Sequence, residues 1–379
     1  MKILFIIQGE GRGHLTQAIS LRKKLLREGH QIVGVLVGKS PARRLPDFFY
    51  KKIGTEVHTF ESPNFLPTPK NKQANLLRSI SYNLLRLHKY AKSICYINQT
   101  IKDTEAEVVV NFYELLSGLT YAFYHPKAEM ICIAHQYLFL HPDFKFPKAN
   151  PFLLASLRFF TRLTAIGANK KLALSFRSMR EITKEHLVVV PPLLRDEVLK
   201  QQPESGNYLL GYIINSGFSE EVIKWHGKNP EVHARFFWDN KKATEQTIVN
   251  KRLSFHQLND ENFLRYMAKA KAYATTAGFE SICEAMYLGK PVLMVPAHIE
   301  QICNAYDASR SGAGITSSKF DLDCLLEFTG SYRPNIYFKQ WADRADWIIL
   351  REFEPERIFR DQSFFLNTFA PLNGSYSHT

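Results

Sequence analysis

Thr276-Ala-Gly-Phe-Glu-Ser-Ile-Cys-Glu284, running on through Gly289-Lys-Pro291, Val295-Pro296 and Glu300-Gln301 to Asn304, decides the reading of the whole chain. The stretch predicts a glycine turn, a helix carrying Glu284, a short buried strand from Pro291 to Val295, and a second helix entered by Glu300 and Gln301. Carboxylate and amide side chains thus stand at strand-to-helix junctions, where an open α/β sheet presents its ligand-binding edge. Such an edge suits a polyhydroxylated, anionic ligand.

Upstream of it, Ala272 to Thr275 reads as the strand feeding the turn, after a helix opened by Asn259-Asp-Glu-Asn-Phe263. Further strands are expected at Tyr208 to Ile214, His233 to Trp238 and Leu253 to Phe255, with a helix from 219 to about 226. Polar residues Gln201 to Asn207, following Pro191-Pro192, mark a connector. Downstream, one helix from Tyr337 to Leu350 is expected to fold back across a cleft, and Ala370 to Thr379 have little to anchor them.

The first half repeats the pattern. Ile3 to Ile7 is an apolar run of the kind buried on both faces of a parallel sheet. Gln8-Gly-Glu-Gly-Arg-Gly-His14 follows, then a helix ending at Gly29 and a strand from Ile32 to Val37. A dinucleotide fingerprint needs glycine at position 14 and an acid ending the second strand, and this chain has His14 and Gly38-Lys39 instead. What remains is that small residues such as Gly11 and Gly13 let backbone approach a ligand, while a helix N-terminus offers N–H groups to negative charge. The same dipole disfavours imidazolium, so His14 is a candidate proton acceptor. Glu107 to Val110 and Met130 to Ala134 read as strands, each followed by polar residues, which makes Glu114, His135 and Gln136 cleft candidates or helix caps.

With 379 residues, two domains are expected. Hydrophobic content of 45% and charged content of 22% suit a globular protein and argue against disorder. The net charge of +13 is uneven: residues 1–200 hold 30 Lys and Arg against 15 Asp and Glu, the remainder 19 against 21. The basic half is a candidate for phosphates, anionic lipid or nucleic acid. Two stripes mix apolar and basic residues: Leu76, Leu77, Ile80, Leu84, Leu85 and Leu87, read as core-facing, and Pro151 to Met179, a candidate to rest on an anionic membrane. Five cysteines form no CxxC pair, which fits a reduced, cytoplasmic setting. The opening apolar run is too short for a signal-peptide core, and no spanning helix is expected.

Gly-Phe-Glu-Ser-Ile-Cys-Glu-Ala, Gly-Lys-Pro-Val-Leu-Met-Val-Pro and Glu-Gln-Ile-Cys-Asn-Ala resemble the C-terminal signature of GT-B glycosyltransferases. The group most resembled is that of the bacterial UDP-N-acetylglucosamine transferase forming lipid II (family 28-like). Gly9 to His14, followed by Leu-Thr-Gln, is similar to the glycine-rich loop of the same group. The resemblance implies an α/β fold of two Rossmann-like parallel-sheet domains facing a cleft: 1–195 on the acceptor side, a 196–206 linker, 207–336 binding the nucleotide-sugar, and 337–379 returning as helix and tail. It further implies that Glu284 holds ribose hydroxyls, since a carboxylate accepts two hydrogen bonds, and that Glu300 and Gln301 contact the donor sugar, with Asn304 at the family spacing. Ser216, Gly217 and Gly278 match diphosphate positions, Phe279, Glu280 and Ser281 line the same turn, and Leu258 lies where the base is expected. His14 matches the approach to acceptor and anomeric carbon, with Glu10 and Glu114 as rival bases. The loop at 215–217 is poorer in glycine than the family's usual turn.

The expected activity is that of a metal-independent glycosyltransferase using a UDP-sugar with inversion, without a cofactor, at a hydroxyl acceptor that includes lipid-linked or cell-envelope glycans as candidates. The setting expected is the cytoplasm, with the inner face of the cell membrane as a candidate contact of the basic half. Asp321-Leu-Asp323 resembles a metal pair of another fold and reads here as a helix cap. A UDP-N-acetylglucosamine 2-epimerase and a non-catalytic RNA- or lipid-binding protein are the rival readings, the RNA form weakened by the absence of a recognisable RNA-binding signature.

Overall fold

The computed structural model describes residues 1–41, 43–63, 83, 85–213, 216–238 and 244–354. Seven strands of the first half are β1 (Lys2–Gln8), β2 (Gln31–Lys39), β3 (Val57–Glu61), β4 (Val108–Phe112), β5 (Glu129–Ala134), β6 (Lys170–Leu174) and β7 (Leu187–Val190). They form one sheet in the order β3-β2-β1-β4-β5-β6-β7, parallel throughout. The second half supplies β8 (Tyr208–Ile213), β9 (His233–Trp238), β10 (Gln246–Ile248), β11 (Leu253–Gln257), β12 (Ala272–Thr275), β13 (Val292–Met294) and β14 (Gly314–Thr316). Their order is β10-β11-β9-β8-β12-β13-β14, with only the β10–β11 pair antiparallel. Helices connect most of the parallel strands, the usual crossover of such sheets, so the expected architecture of two Rossmann-like sheets is what the chain adopts.

In both sheets the strand order reverses beside the first strand, between β1 and β4 and between β8 and β12. Ligand crevices of open α/β sheets lie at such reversals, beyond the carboxyl ends of the strands. Helix Arg12–Arg27 follows β1, and helix Phe279–Tyr287 follows β12. The two halves share one continuous apolar core, because Phe176, Leu193 and Leu194 of the first pack with Phe279 and Cys283 of the second.

Three sequence expectations change. The helix expected from Tyr337 to Leu350 is two, Ile336–Asp343 and Ala345–Arg351, broken at Arg344. Lys24 pairs with Asp346, Lys170 Nζ lies 3.2 Å from Glu352 Oε2, and Trp341 Nε1 donates to the Ser175 carbonyl at 3.0 Å, so this region packs on the first half. The basic segment 151–179 is not one amphipathic element: helix Pro151–Thr164 gives way to β6, whose Lys170 and Lys171 begin an internal strand. Of the leucine stripe, Leu76, Leu77, Ile80 and Leu84 lie outside the described residues. Leu85 and Leu87 are exposed, because helix Leu87–Asp103 buries instead the face of Tyr90, Ile94, Ile97 and Ile101. No helix among the described residues is long and apolar enough to cross a membrane.

Candidate functional site

Where the two reversal points face each other, side chains from both halves touch. Gln136, just beyond β5, donates from Nε2 to Glu300 Oε1 at 2.9 Å. His135 stacks on Phe279 with ring centroids 4.0 Å apart and planes 16° from parallel, its Nδ1 2.7 Å from the Leu174 carbonyl. Gln17 Nε2 donates to Glu280 Oε1. Arg177 Nη1 reaches Asp307 Oδ1 at 2.6 Å and Ser311 Oγ at 2.9 Å. The cavity between Gln17, Phe279, Glu280 and Glu284 measures about 10 Å³, room for about one water.

On the first half, Gly11 is the N-cap of helix Arg12–Arg27 and supplies no side-chain cap. Gly13 has a packing reason to be glycine, since a Cβ there would overlap the Glu280 carboxyl group. His14 is 7% exposed and stacks on Tyr113 at 5.6 Å, with Nδ1 3.3 Å from Gln17 Oε1. Burial lowers its pKa, partly opposed by the negative charge of Glu300, so the ring stays neutral near pH 7. The other two candidate bases, Glu10 and Glu114, each accept hydrogen bonds within the first half. Glu10 Oε1 accepts the Ser40 N–H at 2.6 Å. Glu114 is fully buried as the N-cap of helix Leu115–Tyr124, accepting from Leu116 N–H at 3.1 Å and Ser62 Oγ at 2.6 Å. Burial pushes its pKa up to about 7.

On the second half, Ala277 is held at φ +64°, a left-handed conformation costly for a residue with a Cβ. It turns the chain so that Gly278 becomes the N-cap of helix Phe279–Tyr287, again without a side-chain cap. Ser281 Oγ donates to the Gly278 carbonyl at 3.2 Å. Glu284 is buried and meets Arg195 through a single oxygen, Oε1, at 2.7 Å from Nε and 2.6 Å from Nη2. Burial raises the Glu284 pKa, and Arg195 opposes the rise. Glu280 is pushed up to about 7, by burial first, with Glu284 and Glu300 adding to the rise and Gln17 opposing it. Gln301 Oε1 accepts the Ala297 N–H at 2.8 Å, which fixes the loop entering helix Ile299–Arg310. Asn304 Nδ2 donates to the Ala277 carbonyl at 3.4 Å, leaving Oδ1 buried and unpartnered, as are Thr276 Oγ1 and Gln136 Oε1.

The structure therefore brings His14, Gln136, Glu280, Glu284, Glu300 and Asn304 to one interface and places Glu114 at a helix N-cap. Leu258 is partly buried against the core after β11. Ser216 and Gly217 begin a single 3-10 turn, Ser216–Phe218, and residues 214 and 215 lie outside the described residues. Asp321 caps helix Leu322–Ser331 through the Asp323 N–H at 3.4 Å. Among the described residues no three His, Cys, Asp or Glu side chains converge as metal ligands would. Sequence reasoning missed Arg195, and with it Asp260, which lies between Arg195 (3.8 Å) and Arg12 (3.5 Å). The one available signal was a lone cation closing the apolar Pro191-Pro-Leu-Leu194 run.

Two facing Rossmann-like sheets with their crevice ends opposed make this a GT-B glycosyltransferase fold. The sequence matches the profile of glycosyl transferase family 1 over residues 1–331, and the chain belongs to that family. Among solved structures, the glycotransferase of kitacinnamycin aligns with a TM-score of 0.61 at 13% identity, over 93% of this chain and 98% of that one. Spinosyn rhamnosyltransferase SpnG, complexed with thymidine diphosphate, aligns with a TM-score of 0.61 at 13% identity, over 94% of this chain and 100% of its own. Arabidopsis thaliana UGT89C1, complexed with quercetin, gives 0.60 at 12% identity, over 93% and 98%. At these identities the likeness is one of fold. Comparison with curated proteins finds no match.

Proposed function

We propose that the protein transfers a sugar from a UDP-sugar to a hydroxyl acceptor with inversion and without a metal. The observation that carries this is the helix N-terminus at Gly278, which has no side-chain cap and lies six residues, nearly two turns, ahead of Glu284. The N–H groups of that first turn, apart from that of Glu280, which its own carboxylate takes, suit a diphosphate, and a carboxylate further along the same helix suits vicinal ribose hydroxyls. Among proteins of the same fold, LpCGTa was solved in complex with UDP and UGT89C1 with UDP-L-rhamnose. In this reading residues 207–336 hold the donor, 1–195 the acceptor, 196–206 connect them and 337–379 return towards the first half.

The chemistry follows from the two walls. His14 Nε2 takes the acceptor proton as the acceptor oxygen bonds to the anomeric carbon from the face opposite the leaving group. The bond from that carbon to the diphosphate breaks, and its electron pair leaves with UDP, stabilised by helix N–H groups fixed in advance. Ligand sites occupy about 300–1,000 Å³. The space of about 10 Å³ at Gln17 and Glu284 is too small to be that site by itself, so in this reading ribose shares or displaces Arg195 at Glu284.

A lipid-linked or cell-envelope glycan as acceptor, in keeping with the resemblance to the lipid II-forming group, draws support from helix Pro151–Thr164. It buries Thr161 and Thr164 while Phe152 and Phe159 stand exposed near Arg158 and Arg162, and it packs on the helix that carries Glu300. Aromatic and cationic side chains together suit an anionic membrane surface.

Titration of UDP by calorimetry tests the donor site. Glu284→Ala is expected to weaken UDP binding by roughly 10–100-fold, the worth of hydrogen bonds to a charged group. Unchanged affinity removes Glu284 from the ribose, and no UDP binding by the wild type overturns the donor reading.

A further inference from the structure

We propose that Gln17 and Glu280 are positioning residues that together fix which nitrogen of His14 carries the proton, so that the base is set only when the two halves are apposed. The inference rests on His14 being the base, and its argument is one of hydrogen-bond polarity.

His14 and Gln17 are three residues apart on helix Arg12–Arg27 and so share a face. Gln17 is 1% exposed, and both ends of its amide are used. Nε2 donates to Glu280 Oε1, and Oε1 lies 3.3 Å from His14 Nδ1. Once ionised, above about pH 7, the Glu280 carboxylate accepts and does not donate, so it draws the amide nitrogen towards itself and turns the amide oxygen to the imidazole. An oxygen facing Nδ1 requires the proton to be on Nδ1. Nε2 is then the bare nitrogen, and among the described residues it makes no hydrogen bond. Free histidine prefers the opposite arrangement, with the proton on Nε2, so the amide imposes the useful tautomer against the intrinsic preference.

Two further features are built around this contact. Gly13 leaves the space that the Glu280 carboxyl group occupies, since a Cβ there would overlap it. Glu280 also accepts from its own backbone N–H, which holds the group at the start of helix Phe279–Tyr287. Gln17 and Glu280 are 263 positions apart and sit on opposite halves. When the halves separate, Gln17 is released, its amide is free to turn, and Nε2 can be protonated. The Nε2 base therefore forms at closure, the moment at which donor and acceptor are enclosed.

The test reads the imidazole directly. Full-length protein with ¹⁵N-labelled histidine gives ring-nitrogen shifts that distinguish the tautomers, and His14→Gln identifies the His14 signals by their loss. At pH 8, with Glu280 ionised, the wild type should show His14 protonated on Nδ1. Glu280→Leu should shift the tautomer ratio about fivefold or more towards Nε2–H, the effect of losing one hydrogen bond. Glu280→Gln, which keeps an acceptor oxygen for Gln17, should stay with the wild type, a rescue that a mere packing role does not produce. A wild-type His14 protonated on Nε2, or a Glu280→Leu ratio equal to wild type, overturns the proposal. No substrate enters this measurement, so its failure is separate from failure of the base itself, which turnover of His14→Ala decides.

Discussion

The turn after β4 and the turn after β12 occupy the same place in the two sheets, each beyond the strand at the reversal point, and they solve one problem in opposite ways. Both use a left-handed residue that is not glycine, Tyr113 at φ +61° and Ala277 at φ +64°, immediately before a helix N-cap. In the first half the N-cap is Glu114, whose carboxylate satisfies the helix N–H groups from within. In the second it is Gly278, which has no side chain to cap them, and only the Glu280 N–H is taken, by its own carboxyl group. Strain of this kind persists only where the surroundings over-determine it. The same backbone device thus precedes one helix capped by its own side chain and one without such a cap, a difference made by side chains alone.

The largest effect separating the turns should come from removing the strained side chains. Tyr113 donates to or accepts from Thr161 Oγ1 at 2.8 Å and packs against His14, Tyr137 and Phe160. Tyr113→Gly is expected to cost about 3 kcal/mol or more, the range for deleting a buried aromatic less the strain relieved. Ala277→Gly loses one methyl group and gains backbone ease, so its effect should stay within about 1 kcal/mol. Urea midpoints measure both. Equal losses would mean that the turns are held by the same contacts and the contrast between them is false.

Next in size is an exchange of capping chemistry. Gly278 has φ −70° and ψ 133°, ordinary for an N-cap, and a Cβ there would meet nothing closer than Ser281 Oγ at 3.7 Å. Gly278→Asp can therefore be made without strain and would give the second turn the capping carboxylate of the first. It should raise stability by only a few tenths of a kcal/mol, since glycine is itself a tolerated N-cap, and weaken UDP binding by roughly tenfold or more, because its charge occupies the groups proposed for diphosphate. Retained affinity in calorimetry would place the diphosphate elsewhere.

How much of this was legible depends on whether the signal is local. Ile3 to Ile7 and the strands His233–Trp238, Ala272–Thr275 and Leu187–Val190 announce themselves by apolar runs. Strands β3, β6, β10 and β14 do not: Val57–Glu61 is a half-exposed edge, β6 opens with two lysines, and the other two are three residues each. Their strand character comes from the neighbour they pair with. The same holds at the site. Polar residues at strand ends mark the edge of each sheet, but Arg195 meets Glu284 across 89 positions and Gln17 meets Glu280 across 263, and no spacing rule reaches that far. Residue types were readable; partners, and hence which carboxylate is free, required the fold.

The last effect concerns charge in the closed turn. Glu114 is fully buried, Oε1 takes both Ser62 and Leu116, and Oε2 has no partner, so the ionised form is poorly compensated and the pKa rises to about 7 from an ordinary value of 4.5. For an acid whose folded-state pKa is raised, the folded protein binds the proton more tightly than the unfolded chain. Its stability is therefore intact below about pH 4.5, declines as pH rises towards 7, and stays reduced above that. Glu114→Gln imitates the neutral acid and keeps an oxygen for Ser62 and Leu116. Relative to wild type, the variant should be no more stable at pH 4 and more stable at pH 8 by about 1–3 kcal/mol. Glu280 shares the raised value of about 7 but sits at the open turn with Gln17 as its partner. If the gain at Glu114 is absent, the buried carboxylate is already compensated when ionised, and the closed turn would be as ready for negative charge as the open one.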